Sequence, residues 1–239
     1  MDIDMLLEKM LQSQGFGSRK YCQQLIKNGA VSIQDEIQKD LKYRIHDLTD
    51  FNFQVFDQNY VYREKVYIIL NKPKGFECSH QPHHHQSVFS LLPDLLIQRN
   101  IAAVGRLDQD TTGLLLLTDD GQYLHTLTHP KKHVPKVYHV ATIDPITVDQ
   151  MHQLEQGVEL HNEKGVFAAT NVTLLNETQL SMTIHQGVYH QVKRMIAAVG
   201  NKVTALHRHK IGQLELPNLA EGEWMYLTET QKLAAQQIT

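Results

Sequence analysis

Apolar residues near the start of the chain recur at helical spacing: Ile3, Leu6, Leu7, Met10 and Leu11. This spacing predicts a first helix with one apolar face. A second stripe of the same kind consists of Tyr21, Cys22, Leu25 and Ile26. It predicts a second helix, for which Ser18 is suited as the N-cap. Residues 30–33 are typical of a short strand. Together, these three segments predict that residues 1–60 form a small unit of two helices and a hairpin.

Short apolar runs dominate the rest of the chain, and we interpret four of them as strands: 66–70, 114–118, 137–143 and 179–185. Two segments predict helices, 87–98 and 191–199, and Gly200-Asn201 supplies a stop for the second. Strands and helices do not alternate as regular βαβ units. We therefore expect an α+β fold with a mainly antiparallel or mixed sheet. A linker at 59–64 divides the chain into domains 1–60 and 61–239.

The composition allows a sizeable core, since 41% of the 239 residues are hydrophobic. The formal charge is −3, so any affinity for nucleic acid must come from local basic patches. Two cysteines, Cys22 and Cys78, lie in unrelated segments and indicate neither a disulfide framework nor a zinc ribbon. No apolar run approaches the ~20 residues that span a membrane, and the first residues are acidic. We expect a cytoplasmic protein with no membrane partner.

A first candidate site is the segment Gly105-Arg106-Leu107-Asp108, which precedes a predicted strand. In an extended backbone, Arg106 and Asp108 share a face. Arg106 could then hold a phosphate or help to keep the carboxylate ionised. The local pattern by itself favours an ordinary surface ion pair, because such pairs are common and contribute little.

A second candidate is Lys136-Val137-Tyr138, where Lys136 and Tyr138 point the same way on a strand. Residues 129–139 contain three lysines and no acidic residue, which suits a phosphate backbone. An aromatic ring beside cations also suits an unstacked base. A half-buried strand tyrosine with a solvated basic flank explains the pattern equally well.

A third candidate is the start of the predicted helix 191–199, where Lys193 and Arg194 lie off the apolar stripe. Cations are unfavourable in the first turn of a helix, so a carboxylate or phosphate partner would account for them. Residues 186–212 contain five basic and no acidic residues.

The weakest candidates lie in the first unit and in two polar clusters. Ser18, Arg19, Lys20 and Lys27 could contact phosphates, although residues 1–60 carry 7 Lys/Arg against 9 Asp/Glu. Three adjacent histidines, 83–85, cannot easily face one ion, so we expect no metal site. Asp119-Asp120-Gly121 is typical of a turn rather than of paired catalytic carboxylates.

The motif GRLDQDTTGLLLLTDDG closely resembles the signature of RsuA-type pseudouridine synthases, which act on small-subunit ribosomal RNA. Other segments resemble the same family: NKPKG at 71–75, KVY at 136–138, and HQGVYHQVKRMIAAVGNKVTALHRHKIG at 185–212. LHNEKG at 160–165 resembles its small-subunit members. SRKYCQQLIKNGAVSI at 18–33 resembles the S4 RNA-binding module, although its turn reads Gln34-Asp35-Glu36 instead of small residues. Together these segments cover nearly the whole chain.

This resemblance implies a role for each matching residue. Asp108 matches the catalytic aspartate, Tyr138 the tyrosine that stacks on the target base, and Lys193 the basic residue paired with the aspartate. The remaining positions are implied as contacts to RNA or as supports of the site: Asn71, Lys72, Arg106, Lys136 and Arg194. In the S4 module, Ser18, Arg19, Lys20 and Lys27 are the implied RNA contacts.

Isomerisation of uridine to pseudouridine replaces a C–N glycosidic bond by a C–C bond, so we expect neither a cofactor nor a metal. A carboxylate can attack or deprotonate the sugar as the base departs, and a nearby cation favours its ionised form. The detached base must not escape, so an apolar wall is needed, for which Leu206 is the candidate. We expect a monomer that acts on 16S ribosomal RNA or on a small-subunit assembly intermediate.

Two other functions stay open at this point. The first is a pseudouridine synthase acting on 23S ribosomal RNA. The second is a non-catalytic RNA-binding or ribosome-assembly protein, which would use the basic patches but would not need Asp108 beside Arg and Lys. A carboxylate glycosidase is disfavoured, because it needs two acidic residues flanking one sugar bond.

Overall fold

A computed structural model of the chain describes residues 4–238, so the predicted helical position Ile3 lies outside the described part. The chain divides into two compact units, residues 1–66 with 92–101, and residues 67–91 with 102–239. The sequence-based domains 1–60 and 61–239 stay a prediction, because a spatial division need not follow a functional one.

The first unit contains three helices in its described part: α1 (Leu7–Ser13), α2 (Arg19–Lys27) and α3 (Asp94–Ile97). Its strands are β1 (Met5–Leu6), β2 (Val31–Ile33), β3 (Glu36–Ile37), β4 (Arg44–Ile45), β5 (Asn52–Val55) and β6 (Gln58–Val61). The sheet order is β3-β2-β5-β6, and β1 pairs with β4. The two predicted apolar stripes form much of its core, with Leu7, Met10, Leu11 and Ile26 fully buried.

Local chemistry explains the start of α2 and the hairpin that follows it. The Ser18 side chain accepts a hydrogen bond from the Tyr21 N–H, which confirms the predicted N-cap. The turn between β2 and β3 places Gln34 and Asp35 at φ 52° and 65°. Two central residues with positive φ match the right-handed twist of a two-residue hairpin. The unusual turn sequence therefore still makes a tight hairpin.

Two predicted elements are wrong. Residues 87–98 form no continuous helix: a 3-10 helix (Val88–Leu91) and the short α3 are separated by Pro93. Proline lacks an N–H and disfavours helical backbone in the residue before it. The predicted linker 59–64 is partly strand β6, because Tyr60 stacks on Phe53 of β5 with ring centroids 5.6 Å apart.

The second unit is built on a large mixed sheet. The strands of this unit, in the large sheet and outside it, are β7 (Tyr67–Lys72), β8 (Phe76–Glu77), β9 (Gln86–Ser87), β10 (Ala102–Val104), β11 (Thr111–Thr118), β12 (Lys136–Thr142), β13 (Val158–Glu159), β14 (Val166–Phe167), β15 (Thr170–Asn176), β16 (Gln179–Ile184), β17 (Val203–Ile211), β18 (Leu214–Glu215) and β19 (Trp224–Tyr226). The sheet order is β15-β16-β12-β17-β11-β7-β19, with β10 beside β11 and β18 beside β17. Within this sheet β11 and β17 are parallel and the other described pairs are antiparallel, which confirms the α+β prediction.

The helices of this unit are α4 (Gly121–Thr128), α5 (Val148–Gln156), α6 (Gln191–Ala198) and α7 (Glu229–Gln236), and a 3-10 helix spans Pro130–Lys132. α6 matches the predicted helix 191–199 closely. Asp120 caps α4 by accepting hydrogen bonds from the N–H groups of Gln122 and Tyr123. The Asp119-Asp120-Gly121 cluster therefore serves local structure, as its sequence predicts.

The central parallel pair brings two distant segments together. Gly113 of β11 lies at φ 102° and packs against the backbone of Arg208 in β17, where any Cβ would collide with it. This close approach places the loop before β11 near the end of β16 and the start of α6. Those three segments build the site described next.

Candidate active site

A pocket of about 450 Å³ opens in the second unit. Its lining comes from the loop before β11, from β12, from the segment joining β16 to α6, and from β17. Its size lies in the range of pockets that hold small ligands. Asp108, Tyr138, Lys193 and Leu206 all line it, although they are far apart in the sequence.

An ion pair between two of the sequence candidates occupies one side of this pocket. Lys193 Nζ donates to Asp108 Oδ2 at 3.0 Å and to Asp110 Oδ1 at 2.6 Å. The Asp108 side chain is 30% exposed and that of Lys193 22%, so both remain accessible from the pocket. The partner of Asp108 is thus Lys193, and the surface pair with Arg106 suggested by the local sequence does not form.

The second neighbour of Asp108 is His190, whose Nε2 lies 3.3 Å from Asp108 Oδ1. His190 is the N-cap of α6 and has left-handed backbone geometry, with φ 53°. This geometry is uncommon outside glycine, and His is among the residues that tolerate it best. His190 stacks on Tyr189, with ring centroids 3.8 Å apart. The start of α6 therefore presents both Lys193 and an imidazole to the carboxylate.

The electrostatics of the cluster favour the charged forms. Burial acts to lower the pKa of Lys193, but the hydrogen bonds and charges of Asp110 and Asp108 outweigh it and the pKa is raised. Burial likewise acts to raise the pKa of Asp110, yet Lys193 lowers it overall. The charged forms of Lys193 and Asp110 are therefore favoured, and Lys193 is shared between Asp110 and Asp108.

Tyr138 and Lys136 lie on β12 and both line the pocket, as the alternation of a strand predicts. Tyr138 is buried, with 8% of its surface exposed, and Lys136 is partly buried. Leu206 is also buried and contributes an apolar surface from β17. An aromatic face and an aliphatic wall thus flank a carboxylate in one cavity.

Lys72 and Asn71 do not reach RNA, and their assignment as direct RNA contacts is corrected. Lys72 is fully buried, and its Nζ donates to the carbonyls of Thr111 at 2.8 Å, Pro73 at 3.0 Å and Gln109 at 3.4 Å. Burial lowers the pKa of Lys72. Asn71 is buried and donates to the Leu219 carbonyl at 2.8 Å. Lys72 therefore supports the loop that carries Asp108, whereas Asn71 holds the 219–223 segment against β7.

We therefore predict that Lys72→Met costs about 2–3 kcal/mol of unfolding free energy, because several buried carbonyls lose their donor. The loosened loop should also lower turnover about 10²-fold. Urea denaturation and single-turnover kinetics measure the two effects. Lys74→Met, at an exposed position nearby, is the matched control. Unchanged stability in Lys72→Met would contradict this role.

The two arginines of the candidate set have different surroundings. Arg106 is exposed and lines the pocket, where a phosphate could reach it. Arg194 is engaged with protein groups: its guanidinium bonds Glu163 Oε1 at 3.1 Å, the Tyr189 carbonyl at 3.1 Å and the His161 carbonyl. Arg194 thus ties the 160–165 segment to α6, and its partner Glu163 is a carboxylate, one of the two kinds of partner that the sequence predicted.

The first unit holds the remaining candidates. Arg19 pairs with the buried carboxylate of Glu8, with Nη2 2.6 Å from Oε1. Burial acts to raise the pKa of Glu8, but the bonds from Gln23 and Arg19 lower it overall. Lys20 and Lys27 are exposed on α2, whereas the Ser18 hydroxyl serves as the helix cap. Lys20 and Lys27 make no ion pair with any residue in the described part of the chain and therefore remain for a polyanion.

The histidine run 83–85 wraps around a carboxylate through its backbone. The N–H groups of His83, His84 and His85 donate to Glu77 at 3.0–3.1 Å. Across residues 4–238, no group of three or more His, Cys, Asp or Glu side chains is arranged to hold a metal ion. Cys22 and Cys78 are both buried and free. Within the same range, no helix is long and apolar enough to cross a membrane.

Three groups in or beside the pocket were absent from the sequence-based candidates: His190 and Arg208, which line it, and Asp110, which contacts Lys193. Asp110 follows Asp108 by two residues, within the same motif, and this closeness was the available signal. His190 precedes a helix start that was examined for its cations. Arg208 is 3% exposed and lies on β17 within a basic segment whose total charge alone was noted. The available signal was an arginine in a segment that contains no acidic residue to pair with it.

Comparison with known proteins agrees with this geometry. The profile of the RNA pseudouridylate synthase family matches residues 66–198, and that of the S4 domain matches residues 5–50. The chain is 41% identical over 226 residues to ribosomal small subunit pseudouridine synthase A of Vibrio cholerae, covering 94% of this chain and 96% of the relative. The Escherichia coli K12 protein of the same name is 39% identical over 231 residues, covering 94% and 97%.

A solved structure shows the same likeness in three dimensions. A crystal structure of a pseudouridylate synthase has a TM-score of 0.68 and 35% identity, covering 97% of this chain and 99% of that one. The predicted enzyme class and the predicted S4 module are confirmed. The chain belongs to the RNA pseudouridylate synthase family and carries an S4 domain ahead of its catalytic region.

Proposed function

We propose that this enzyme isomerises one uridine of small-subunit (16S) ribosomal RNA to pseudouridine, with Asp108 as nucleophile. The observation that carries the proposal is the Asp108 carboxylate, held 3.0 Å from Lys193 Nζ in the same pocket as the buried Tyr138. A protein that only binds RNA needs cations, and has no use for a carboxylate paired with a lysine inside a pocket.

Each step of the reaction has a group suited to it. The target uridine leaves its stack at a cost of a few kcal/mol, of which stacking on Tyr138 returns ~1–3 kcal/mol. Lys193 holds the Asp108 carboxylate by a hydrogen bond, in position for attack at C1′. The Leu206 surface then retains the detached uracil while it turns to present C5.

The role of Asp110 follows from its hydrogen bond with Lys193. Its contact with Nζ, at 2.6 Å, is the shorter of the two carboxylate contacts. Asp110 therefore orients the ammonium group and raises its pKa without itself lining the pocket. It acts as a positioning residue for Lys193.

The preference for the small subunit has support from sequence and structure. The relatives described above are named as small-subunit enzymes. The LHNEKG segment at 160–165, typical of such enzymes, is bound by Arg194 next to Lys193 on α6. A segment attached there is well placed to select RNA near the target nucleotide. An enzyme specific for 23S ribosomal RNA is the remaining alternative within the family.

The S4 domain would add affinity through Lys20 and Lys27 on α2. We predict that the double variant Lys20→Ala/Lys27→Ala raises KM for 16S RNA several-fold and leaves kcat unchanged. The slope of log Kd against log salt should fall by about two, one for each lost phosphate contact. Lys42→Ala, an exposed lysine outside α2, is the control. An unchanged salt slope would remove α2 from the RNA-binding surface.

The proposal as a whole is tested with purified enzyme on 16S RNA, 23S RNA and small-subunit assembly intermediates. Pseudouridine mapping should find one new site in small-subunit RNA. Conversion of 23S RNA alone would shift the substrate to the large subunit. Tight binding without conversion in any of these substrates would favour the non-catalytic alternative. We further propose that the enzyme is cytoplasmic and that it acts as a monomer. Sedimentation during turnover can check the monomeric state.

A further inference from the structure

The active-site pocket contains more positive charge than its one carboxylate requires. Four of its lining residues are cations, Arg106, Lys136, Lys193 and Arg208, and Asp108 is the one acid among the lining residues described. Lys193 is balanced by Asp108 and Asp110, and Arg106 is exposed to solvent. Lys136 and Arg208 remain: neither is exposed, and neither pairs with a carboxylate within residues 4–238.

Arg208 is a buried cation that has no counterion among residues 4–238. It is 3% exposed, and its Nε donates to the Leu114 carbonyl at 2.8 Å. Its Nη2 makes no hydrogen bond to any residue in the described range. Leaving a charged donor buried and unsatisfied costs more than leaving a neutral donor so. Such a cost is expected where a ligand supplies the missing acceptor.

Lys136 shows the same imbalance. Burial, followed by the positive charge of Arg208, lowers the pKa of Lys136 to about 8. No carboxylate between residues 4 and 238 forms an ion pair with either of the two cations. An anion in the pocket would relieve both the repulsion between them and the unsatisfied donor.

The location of the two cations indicates which anion they serve. Arg208 is the register partner of Tyr138 across β12 and β17, so it lies at the level of the tyrosine on which the base would stack. Phosphates stay with the RNA backbone and can reach the exposed Arg106 more easily. The buried Arg208, beside Tyr138, and the partly buried Lys136 are therefore better placed for the base than for a phosphate.

We propose that Arg208, together with Lys136, stabilises the uracil anion that exists between cleavage and re-formation of the glycosidic bond. This inference rests on the proposed function. When Asp108 bonds to C1′, the C1′–N1 bond breaks and its electron pair stays on uracil, delocalised over N1, O2 and O4. After rotation, C5 attacks C1′ and the carboxylate leaves. C5 loses a proton and N1 gains one, so product and substrate are isomers.

Charge develops on the base only during the reaction, which gives the proposal a kinetic signature. Arg208→Gln and Lys136→Met should each lower the single-turnover rate about 10²-fold, the usual effect of removing one donor to a developing anion. Kd for the RNA and its salt slope should stay unchanged. Arg208→Lys should retain more activity than Arg208→Gln. Lys210→Met, a cation on the same strand outside the pocket, should have no effect.

A substrate whose base is a better leaving group can show whether Arg208 and Lys136 stabilise an anion or only support the structure. Fluorine makes 5-fluorouracil a stronger acid than uracil, so its anion needs less help. The rate of glycosidic cleavage in RNA with 5-fluorouridine at the target should therefore suffer less from Arg208→Gln than the rate with uridine. Lys136→Met should show the same pattern and leaves the Arg208–Leu114 bond intact, so it serves if Arg208→Gln unfolds.

Two results would overturn the inference. Equal rate defects with uridine and 5-fluorouridine would assign Arg208 and Lys136 a structural role. A raised Kd with a salt slope smaller by about one would assign them to a phosphate. Absence of pseudouridine with the wild-type enzyme would instead contradict the proposed function, and the two failures are thereby distinguished.

Discussion

Asp108→Asn is expected to fold like the wild type and to form no detectable pseudouridine, a loss of at least about 10³-fold. The side chain is 30% exposed, and the amide still offers an oxygen to Lys193, so little stability should be lost. The amide cannot act as a nucleophile at C1′. Thermal unfolding and single-turnover conversion of a 16S fragment measure the two effects.

The control for this substitution is the neighbouring acid, since Asp110→Asn removes the same charge two residues away. We expect that variant to lose less than about tenfold, because Lys193 keeps its contact with Asp108. Equal losses in the two variants would mean that negative charge near Lys193 matters rather than the identity of Asp108. Near wild-type turnover by Asp108→Asn would rule out its role as nucleophile.

Lys193→Met should have the second largest effect, a fall in kcat of about 10²–10³-fold with little change in affinity for RNA. Methionine fills a similar volume but leaves Asp108 and Asp110 without the cation that both contact. Two nearby carboxylates then disfavour each other's ionised form. Steady-state kinetics with separate determination of kcat and KM is the measurement.

Lys193→Arg provides the matched comparison, because it keeps the charge and changes the geometry. It should retain a substantial part of the activity lost in Lys193→Met. The pKa of Lys193 is raised, so wild-type activity should not decline through loss of this charge at neutral or mildly alkaline pH. A large increase in KM with unchanged kcat would instead make Lys193 an RNA-binding residue.

Locally encoded features were predictable from the sequence. The Ser18 cap, the apolar stripes of α1 and α2, and helix α6 all depend on residues within a few positions of one another. Helix spacing and caps act over that range. The start of β11 at Thr111 was missed, because residues 111–113 become strand only through pairing with β17.

The sequence was sufficient to predict the main residues of the active site, but it was not sufficient to predict which of them contact one another. Motif resemblance indicated Asp108, Tyr138 and Lys193, whereas the Lys193–Asp110 contact joins residues 83 positions apart. Lys72 was misassigned because lysine is rarely buried. The carbonyls of residues 73, 109 and 111, which make its burial possible, meet only in the folded protein.

The central claim is that Asp108 makes this protein a pseudouridine synthase for small-subunit RNA. Its most direct test is pseudouridine mapping of ribosomal RNA from a strain that lacks the protein, complemented with wild type or with Asp108→Asn at equal expression. We predict that wild type restores a single pseudouridine in 16S RNA and that the variant restores none. Restoration of the site by Asp108→Asn, or an unchanged 16S map in the deletion strain, would contradict the account.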